Sequence, residues 1–570
     1  MLNVAPATFS KPISKRDRNN RRMVQLRQLR SKHEHHWQEI RDFIAPDLYE
    51  DPVAAPANEG QRRDSAIVNN TPTLALEIAV SGLFNGTCDP TEEWLDLEAA
   101  DPALNKIHGV RVYFDEVRSR ILTELARSNF YKQVTEDFAS LLAFGTCATV
   151  MKESWNTESV VSFQSLPTGS YYVANNSDRE VVEIARDLKM TTGQMVELFG
   201  DRCSRQVKDA YANGSVHQEI DVCHMVYPNP AHNPMQDAMP HQKAWLSCYY
   251  EPMSTGDATG DVMLEESGFA VFPVACARWN TLGSNPYGFG PGRKSVGDSR
   301  ALQAMEVDTA TAVELQVKPP LLVPEGMAGQ EISLIPGSLN YAIGADGNQA
   351  VRPLMQVNHD IADARGAINE HEERIRSAFY NDIFLMIAND EGGKMTAREV
   401  MERAREKRLA LTPILRVTQE YHKPIVRFVF SVLARRGRLP EPPPELAGQE
   451  IKIAFRSVLA QSAELERSQA TRSAVANAVQ VAVETQRADI LDNIDFDEAV
   501  RDDFRKSGAP AAVLLDPAKV EGIRATRAQQ IARQQQGEAA AQAAQTAQTL
   551  SQTPTGGKTA LTDILAGLQQ

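Results

Sequence analysis

The sequence lacks three features, each of which would define a class of protein. No apolar run approaches the ~20 residues that a membrane-spanning helix needs, so we expect no membrane insertion. The basic N-terminus contains no apolar core of the kind found in secretory signals. The six cysteines form no C-x-x-C pair, which argues against a zinc site and a disulfide framework and favours synthesis in a reducing cytoplasm.

Motifs of hydrolytic and nucleotide-binding enzymes are also absent. No G-x-S-x-G motif of a serine hydrolase occurs. A phosphate-binding loop would need glycine directly before Lys294 and Ser295, but Arg293 occupies that position and would fill the space of the phosphates. We therefore interpret the glycine-rich stretch 287–292 as a flexible hinge that leads into a helix.

The titratable residues form no recognisable reaction centre. His224, His232 and His241 have spacings that match no zinc pattern. Adjacent acidic residues such as Asp390 and Glu391 are common on the surface of an acidic protein. The sequence therefore predicts that the protein is not an enzyme, has no metal site and needs no cofactor.

Charge is distributed unevenly along the chain. The formal net charge is −14, which is unusual for a protein that grips nucleic acid through its phosphates. It suits a surface to which nucleic acid must not adhere. The first 32 residues nevertheless carry nine Lys or Arg against one Asp. We interpret residues 1–20 as a flexible basic arm, and His33, His35 and His36 in the helix that follows as a solvated face.

Hydrophobic periodicity predicts a mainly helical α+β protein. The helical segments are 21–44, 71–84, 105–128, 131–143, 191–199, 293–317, 358–386, 396–436 and 459–487, and short strands occupy much of 149–275. The strands do not alternate with helices as in a dinucleotide-binding fold. Pro413 and Pro424 should kink the helix that Thr396 and Glu399 open as a capping box. Two long helices on either side of the extended segment 319–357 indicate a stalk with a tip.

A series of short motifs resembles one known family through its order and spacing. The motifs are Trp37 with Pro46, Arg63 with the helix 71–82, Trp94, 128–131, 143–146, 169–172, 277–279, 287–291, 318–320, 395–400, and Leu439 with Pro440. The chain resembles the portal, or head-to-tail connecting, protein of short-tailed phages (podovirus type). The resemblance extends from about residue 37 to about residue 520.

The resemblance implies a subunit with wing, stem, clip and crown that assembles into a ring around a channel. The implied divisions are a basic arm at 1–20, an N-terminal helix and α+β wing at 21–290, stem helices at 291–318 and 358–386, a clip at 319–357, a tunnel loop at 387–395, a kinked wing helix at 396–445, a helical crown at 446–520 and an Ala/Gln-rich tail at 521–570. The tail matches no motif of the family.

The resemblance also implies a function and partners. A ring of twelve subunits would sit at one vertex of the capsid and pass double-stranded DNA during packaging and ejection. It would contact the major capsid and scaffolding proteins, dock the terminase large subunit, and later dock tail adaptor or nozzle proteins. The protein would be made in the host bacterial cytoplasm and end in the virion.

Acidic residues on the two stem helices are the candidate channel lining. Repeated in every subunit, they would form acidic rings that repel DNA phosphates. The candidates are Glu306, Asp308, Glu314, Asp360, Asp363, Glu370, Glu372 and Glu373. For each carboxylate, an intersubunit or i,i+4 salt bridge is an equally good interpretation.

Two loops supply the remaining candidate residues. In the tunnel loop these are Asp390, Glu391 and Lys394, and the lysine could make a transient phosphate contact. In the clip, the candidates for docking the motor and tail are Pro324, Glu325, Glu331, Asn340 and Tyr341. The alternative functions are a helical scaffold or adaptor that forms no ring, and a nucleotide-dependent DNA motor.

Overall fold

The structure is a computed structural model of the 570-residue chain. It describes residues 14–50, 66–91, 93–155, 158–235, 239–252, 263–322, 352–353, 361–388, 412–446, 448–449, 451–455, 458–506, 513–552, 554–555 and 558–559. The helices are α1 (Lys15–Phe43), α2 (Thr71–Thr87), α3 (His108–Arg127), α4 (Phe130–Phe144), α5 (Thr192–Phe199), α6 (Arg205–Ala212), α7 (Pro291–Val317), α8 (Ile361–Ala378), α9 (Asn381–Ala388), α10 (Thr412–Val417), α11 (Lys423–Arg435), α12 (Val458–Thr485), α13 (Phe496–Lys506) and α14 (Pro517–Gln552).

The strands are shorter than the helices, and those between residues 146 and 278 coincide with the segment 149–275 in which short strands were expected. They are β1 (Leu95–Ala99), β2 (Thr146–Glu153), β3 (Val161–Leu166), β4 (Tyr171–Asn175), β5 (Val181–Thr191), β6 (Glu219–Pro228), β7 (Trp245–Tyr250), β8 (Glu265–Phe269), β9 (Val274–Arg278), β10 (Leu321–Leu322), β11 (Arg352–Pro353), β12 (Ile451–Phe455), β13 (Pro554–Thr555) and β14 (Lys558–Thr559). The two larger sheets have the orders β3-β2-β9 and β4-β5-β6-β7-β8. Every pairing within these two sheets is antiparallel, which confirms that they are not a dinucleotide-binding fold.

The chain divides into two compact units. The first comprises Met1–Asp96, Arg118–Leu439 and Ile453–Ala460, and it contains both larger sheets. The second comprises Leu97–Val117, Pro440–Lys452 and Gln461–Gln570. Its helices carry ion pairs on largely exposed surfaces, for example Arg472 with Asp503 at 2.6 Å. None of the helices that the structure describes is long and apolar enough to cross a membrane.

Helix α1 begins earlier than the expected basic arm allows. The Ser14 hydroxyl accepts a hydrogen bond from the Asp17 backbone N–H at 3.1 Å and caps a helix that starts at Lys15. The basic side chains of this helix are bound to the five-stranded sheet: Arg22 pairs with Glu183 at 2.7 Å, and Arg27 pairs with Asp187 at 2.9 Å. The prediction of a flexible arm was therefore wrong for residues 15–20, and residues 1–13 lie outside the described part of the chain.

His33 lies in the core and not on the solvated face that we expected. Its ring centroid lies 5.2 Å from that of Tyr287 and 5.6 Å from that of Trp37. Its Nε2 atom is 3.1 Å from the Asn285 side-chain nitrogen. Burial is the main cause that lowers the pKa of His33 below its usual value, and the charge of Arg293 adds to it. His35, by contrast, is exposed as predicted.

The glycine-rich stretch before α7 packs against the end of α4. Gly145 ends α4 in the left-handed region, with φ of 90°. A Cβ on Gly290 would overlap the Leu142 carbonyl oxygen, and one on Gly292 would overlap that of Ala143. The glycines are therefore required because two backbones approach closely. Our interpretation as a flexible hinge was wrong, although the stretch does lead into a helix.

The expected single helix 358–386 is two helices. Tyr380 adopts a left-handed conformation with φ of 60° and separates α8 from α9. Phe379 and Phe384 flank the break and are both buried. Five residues apart on one straight helix, they would point about 140° apart, so the break allows both to be buried. The seven-residue spacing of Ile368 and Ile375, which suggested continuity, ends just before it.

A π-helical turn lies between the helices that follow. Residues Thr418–His422 form this turn between α10 and α11, directly before Pro424. Proline has no N–H for the helical hydrogen bond, so an irregular turn beside it is expected. Gly437, with φ of 62°, follows the end of α11. The capping box at Thr396 and Glu399 lies outside the described residues.

Candidate functional site

Helices α7 and α8 pack together and carry most of the candidate acidic residues. The chain leaves α7 at Val317 and returns to α8 at Ile361. Between these helices, β10 and β11 pair antiparallel, with Leu321 opposite Pro353, and so hold the two ends of the intervening segment together. The polar pair of Asp298 on α7 and His371 on α8, at 3.0 Å, also links the two helices.

Several candidates cannot be placed. The clip candidates Pro324, Glu325, Glu331, Asn340 and Tyr341 lie outside the described residues. The tunnel-loop candidates Asp390, Glu391 and Lys394 and the stem candidate Asp360 do so as well. Their roles stay predictions.

Glu306 and Glu372 converge on one side chain within the subunit. The Asn69 amide nitrogen donates to Glu306 at 2.8 Å and to Glu372 at 3.0 Å. Arg376 also binds Glu372, at 2.8 Å. Partial burial opposes ionisation of Glu372, but the hydrogen bonds from Asn69 and Arg376 outweigh it and lower its pKa below the usual value. Both carboxylates therefore have structural partners, and the i,i+4 salt bridge that the sequence left open is observed for Glu372 with Arg376.

Gln303 is a polar residue of this region that the sequence analysis missed. Its side chain is buried, and its oxygen accepts hydrogen bonds from the backbone N–H groups of Val68 at 2.7 Å and Asn69 at 2.8 Å. Its nitrogen donates to the Asn69 carbonyl at 2.8 Å. Gln303 thus fixes Asn69, which then positions the two glutamates. A polar residue next to the buried Leu302 was the available signal.

Three acidic residues of α8 lie on the face opposite its core. Ile368 and Ile375 are buried, whereas Asp363, Glu370 and Glu373 are exposed. At about 100° per residue, these three acids point roughly 120–160° away from the isoleucines. These three acids are therefore directed away from the buried side of α8.

One arginine partly neutralises this acidic face. Arg374 pairs with Glu370 at 3.3 Å and lies 3.9 Å from Asp298. Within the described part of the chain, Asp363 and Glu373 have no ion pair. On α7, Asp308 and Glu314 are likewise exposed. The acidic face therefore keeps an excess of negative charge.

A buried polar cluster stands apart from these helices. Asp137 accepts hydrogen bonds from the hydroxyls of Thr149, Ser165 and Tyr421. Burial raises the pKa of Asp137 to about 6. The neighbouring His422 is also buried, and neither ring nitrogen has a hydrogen-bond partner among the described residues. Burial lowers the pKa of His422 to about 3. Both side chains are enclosed, so a substrate could not reach them.

No group of three metal-ligating side chains occurs in the part of the chain that the structure describes. His224 is instead buried in the five-stranded sheet. The Nδ1 atom of His232 lies 2.9 Å from the Gln242 carbonyl oxygen. His224 and His232 thus lie in different environments.

The chain matches a family of known proteins over most of its length. Residues 16–514 match the family model described as "Bacteriophage head to tail connecting protein". The chain is therefore a structural connector of a bacteriophage particle. It belongs to the bacteriophage head-to-tail connecting protein family.

Two relatives are similar to the chain over almost its whole length. The portal protein of Salmonella phage epsilon15 is 32% identical over 554 residues, which are 97% of this chain and 98% of that protein. The probable portal protein of Bordetella phage BPP-1 is 33% identical over 548 residues, 95% of this chain and 96% of that protein. These relatives confirm the resemblance to podovirus portal proteins.

A solved structure titled "Neck of empty GTA particle computed with C6 symmetry" was also matched. It shares 10% identity and covers 76% of this chain and 93% of its own, with a TM-score of 0.34. A TM-score this low carries no argument about the fold.

Proposed function

We propose that the protein forms a closed ring, of twelve subunits, at one vertex of the phage capsid. In this ring, α7 and α8 surround a channel for double-stranded DNA. The observation that carries the proposal is the acidic face of α8, which points away from the buried isoleucines of the helix. In a rotationally symmetric ring, each exposed carboxylate becomes a ring of identical charges.

Exposed apolar residues on α7 support contact between neighbouring subunits. Val313 is 38% exposed and Val317 is 72% exposed near the end of the helix. Four residues apart, they lie on one side of α7. A neighbouring subunit could cover them, as expected for a stem helix that touches two neighbours.

The charge of α8 suits a passage through which DNA must move. DNA carries one phosphate charge per ~1.7 Å of its axis, so attractive contacts along a channel would hold it in place. Carboxylates repel the phosphates and prevent this adhesion. Asp363 and Glu373 are the strongest candidates, since Glu372 is held by Asn69 and Glu370 by Arg374.

The test begins with the oligomer. We expect negative-stain images of the purified protein to show rings with a central hole, and native mass to give about twelve copies. A monomer or dimer under all salt conditions would instead favour a scaffold or adaptor.

Charge reversal then tests the channel. The double variant Asp363→Lys with Glu373→Lys should form rings but reduce the amount of DNA packaged per particle. The matched control is Glu197→Lys with Glu219→Lys, which changes the net charge equally at exposed positions in the sheet region. Equal packaging by both variants would show that α8 does not line the DNA path.

We further propose that the segment between β10 and β11 docks the terminase motor and later the tail proteins, and that the protein has no catalytic activity of its own. Deleting residues 325–350 should leave rings intact and abolish packaging. Detectable ATP hydrolysis by the purified protein would contradict the second part and favour a nucleotide-dependent motor.

A further inference from the structure

A cavity of about 180 Å³ lies between the two larger sheets of the first unit. One wall comes from β2 and β9, and the opposite wall comes from the face of the five-stranded sheet that bears alternate residues of β5, β6, β7 and β8. A single water needs only ~15 Å³ of such space, so a small polyatomic ligand fits. No role in the proposed function uses this cavity.

A row of polar side chains crosses the floor of the cavity. Arg186 on β5 lies opposite His224 on β6. His224 lies opposite Tyr249 on β7, and Tyr249 in turn lies opposite Glu265 on β8. Directly paired residues on one face of a sheet interact across the strands. The row therefore places a cation at one end and a carboxylate at the other.

Hydrogen bonds fix the charge state of the histidine in this row. The Arg186 Nε–H donates to His224 Nδ1 at 2.9 Å, so the ring proton is on Nε2, which lies 3.0 Å from the Ser247 hydroxyl. Burial lowers the pKa of His224 well below its usual value, and the charges of Arg186 and Lys152 add to this effect. His224 is therefore neutral and contributes no positive charge.

Arg186 is a buried cation without an anionic partner. Its relative exposure is 5%. Its acceptors are His224 and the Tyr249 hydroxyl, at 3.3 Å, and both are neutral. Within the described residues, no carboxylate lies within ion-pair distance of it. Glu265 is three strands away along the row, about 14 Å at the usual strand spacing.

Lys152 brings a second positive charge to the same cavity. It lies on β2, and its ammonium group donates to Gln164 at 3.0 Å, again a neutral partner. Partial burial and the charge of Arg186 lower its pKa below the usual value. Arg186 and Lys152 are close enough to affect each other's charge, and both have neutral partners. An anion bound between them would stabilise both cations.

We propose that this cavity binds a small oxyanion, a phosphate or a carboxylate, between Arg186 and Lys152. The guanidinium has N–H groups beyond those bound to His224 and Tyr249, and its planar fork suits two oxygens of one anion. Lys152, at the exposed edge, supplies a point charge. The Ser247 hydroxyl, which accepts from His224, retains its own hydrogen for a further bond.

Calorimetric titration of the full-length protein with inorganic phosphate tests the proposal, at constant ionic strength with chloride as the competing anion. We expect saturable binding of about one phosphate per subunit. Lys152→Gln should weaken it by about tenfold, because one charge-assisted hydrogen bond is lost. Glutamate titrated in the same way shows whether a carboxylate binds at this site, and saturable binding of either anion supports the proposal.

Lys189→Gln is the matched control, since Lys189 is an exposed lysine on β5 that does not line the cavity. It should bind phosphate like the unmodified chain. Arg186→Gln should abolish binding. If Arg186→Gln does not fold, Tyr249→Phe replaces it as a test, because it leaves every charge in place. Tyr249→Phe should weaken binding less than Lys152→Gln does. Absence of saturable binding of both anions, or an equal loss in Lys152→Gln and Lys189→Gln, would overturn the proposal.

Discussion

Tyr421 donates a hydrogen bond of 2.5 Å to Asp137, a residue 284 positions earlier in the chain. Both side chains are buried, and Asp137 also accepts from Ser165 at 2.9 Å. The contact joins α4 to the π-helical turn before α11. The adjacent His422 packs among aromatic rings, with centroid distances of 5.3 Å to Trp94 and 6.0 Å to Phe138. The chain's first unit thus contains a buried acid and a buried base.

We predict that Asp137→Asn changes how stability depends on pH. The pKa of Asp137 is raised from 3.8 to about 6 in the folded protein. Between these values the folded state holds a proton that the unfolded chain releases, so this contribution to stability is present at low pH and lost as pH rises through about 6. The free energy of unfolding of the variant, relative to the unmodified chain, should therefore increase with pH by up to about 1.4 kcal/mol per pH unit between pH 4 and 6.

Urea unfolding at fixed protein concentration across pH 4–7 measures this difference. Tyr421→Phe is the companion variant, because it keeps the acid and removes one hydrogen bond that the carboxylate accepts. In this variant the pKa of Asp137 should be higher than in the unmodified chain. If the unfolding free energies of Asp137→Asn and the unmodified chain changed with pH in parallel, the raised pKa of Asp137 would be contradicted.

We predict the opposite pH effect for His422→Phe. The pKa of His422 is lowered from 6.5 to about 3 by burial. The unfolded chain therefore binds a proton that the folded chain excludes, and stability is lost as pH falls below about 6.5. The variant should gain stability relative to the unmodified chain as the pH falls, again by up to about 1.4 kcal/mol per pH unit.

The two effects oppose each other between pH 4 and 6. The double variant Asp137→Asn with His422→Phe should consequently restore a pH dependence close to that of the unmodified chain over this range. The same urea titrations provide the readout. A double variant that follows either single variant would show that only one of the two groups titrates as described.

We predict that Gly292→Ala destabilises the protein while Gly297→Ala does not. A methyl group at Gly292 would overlap the Ala143 carbonyl, whereas nothing lies within 4 Å of a methyl group at Gly297 on the same helix. Overpacking costs about 1–3 kcal/mol. Alanine at an open helical position gains up to about 1 kcal/mol.

The measurement is the thermal midpoint of each variant at equal protein concentration. Gly292→Ala should unfold at a lower temperature than the unmodified chain, and Gly297→Ala at the same or a higher temperature. A similar loss in both variants would mean that close contact with the Ala143 carbonyl is not what requires glycine at position 292.

We predict that Gln303→Met costs about 1–3 kcal/mol, because it leaves the backbone N–H groups of Val68 and Asn69 without their acceptor. The side-chain volume is nearly unchanged, so packing alone should cost little. Gln206→Met, at an exposed position of α6, is the control and should be neutral. Equal unfolding free energies for the two variants in urea would contradict this role of Gln303.

The sequence by itself determined the order of the elements and the family. Helical and period-two spacing depend only on neighbours along the chain, so α7, predicted as 293–317, was observed as Pro291–Val317. The motifs around Gly145 and Tyr287 identified the family because they meet in space: the Thr146 hydroxyl accepts from the Gly288 N–H at 2.8 Å.

Only the tertiary structure decided which side chains are free. Glu372 and Glu373 are adjacent and chemically identical, yet Asn69 binds the first and the second is exposed. His33 is buried and His35 exposed for a similar reason, since each helical step turns the side chain by about 100°. The break at Tyr380 accompanies the burial of Phe379 and Phe384 on either side of it. These outcomes depend on packing against residues that are distant in the chain. The local spacing of a sequence does not indicate which distant residue a side chain will contact.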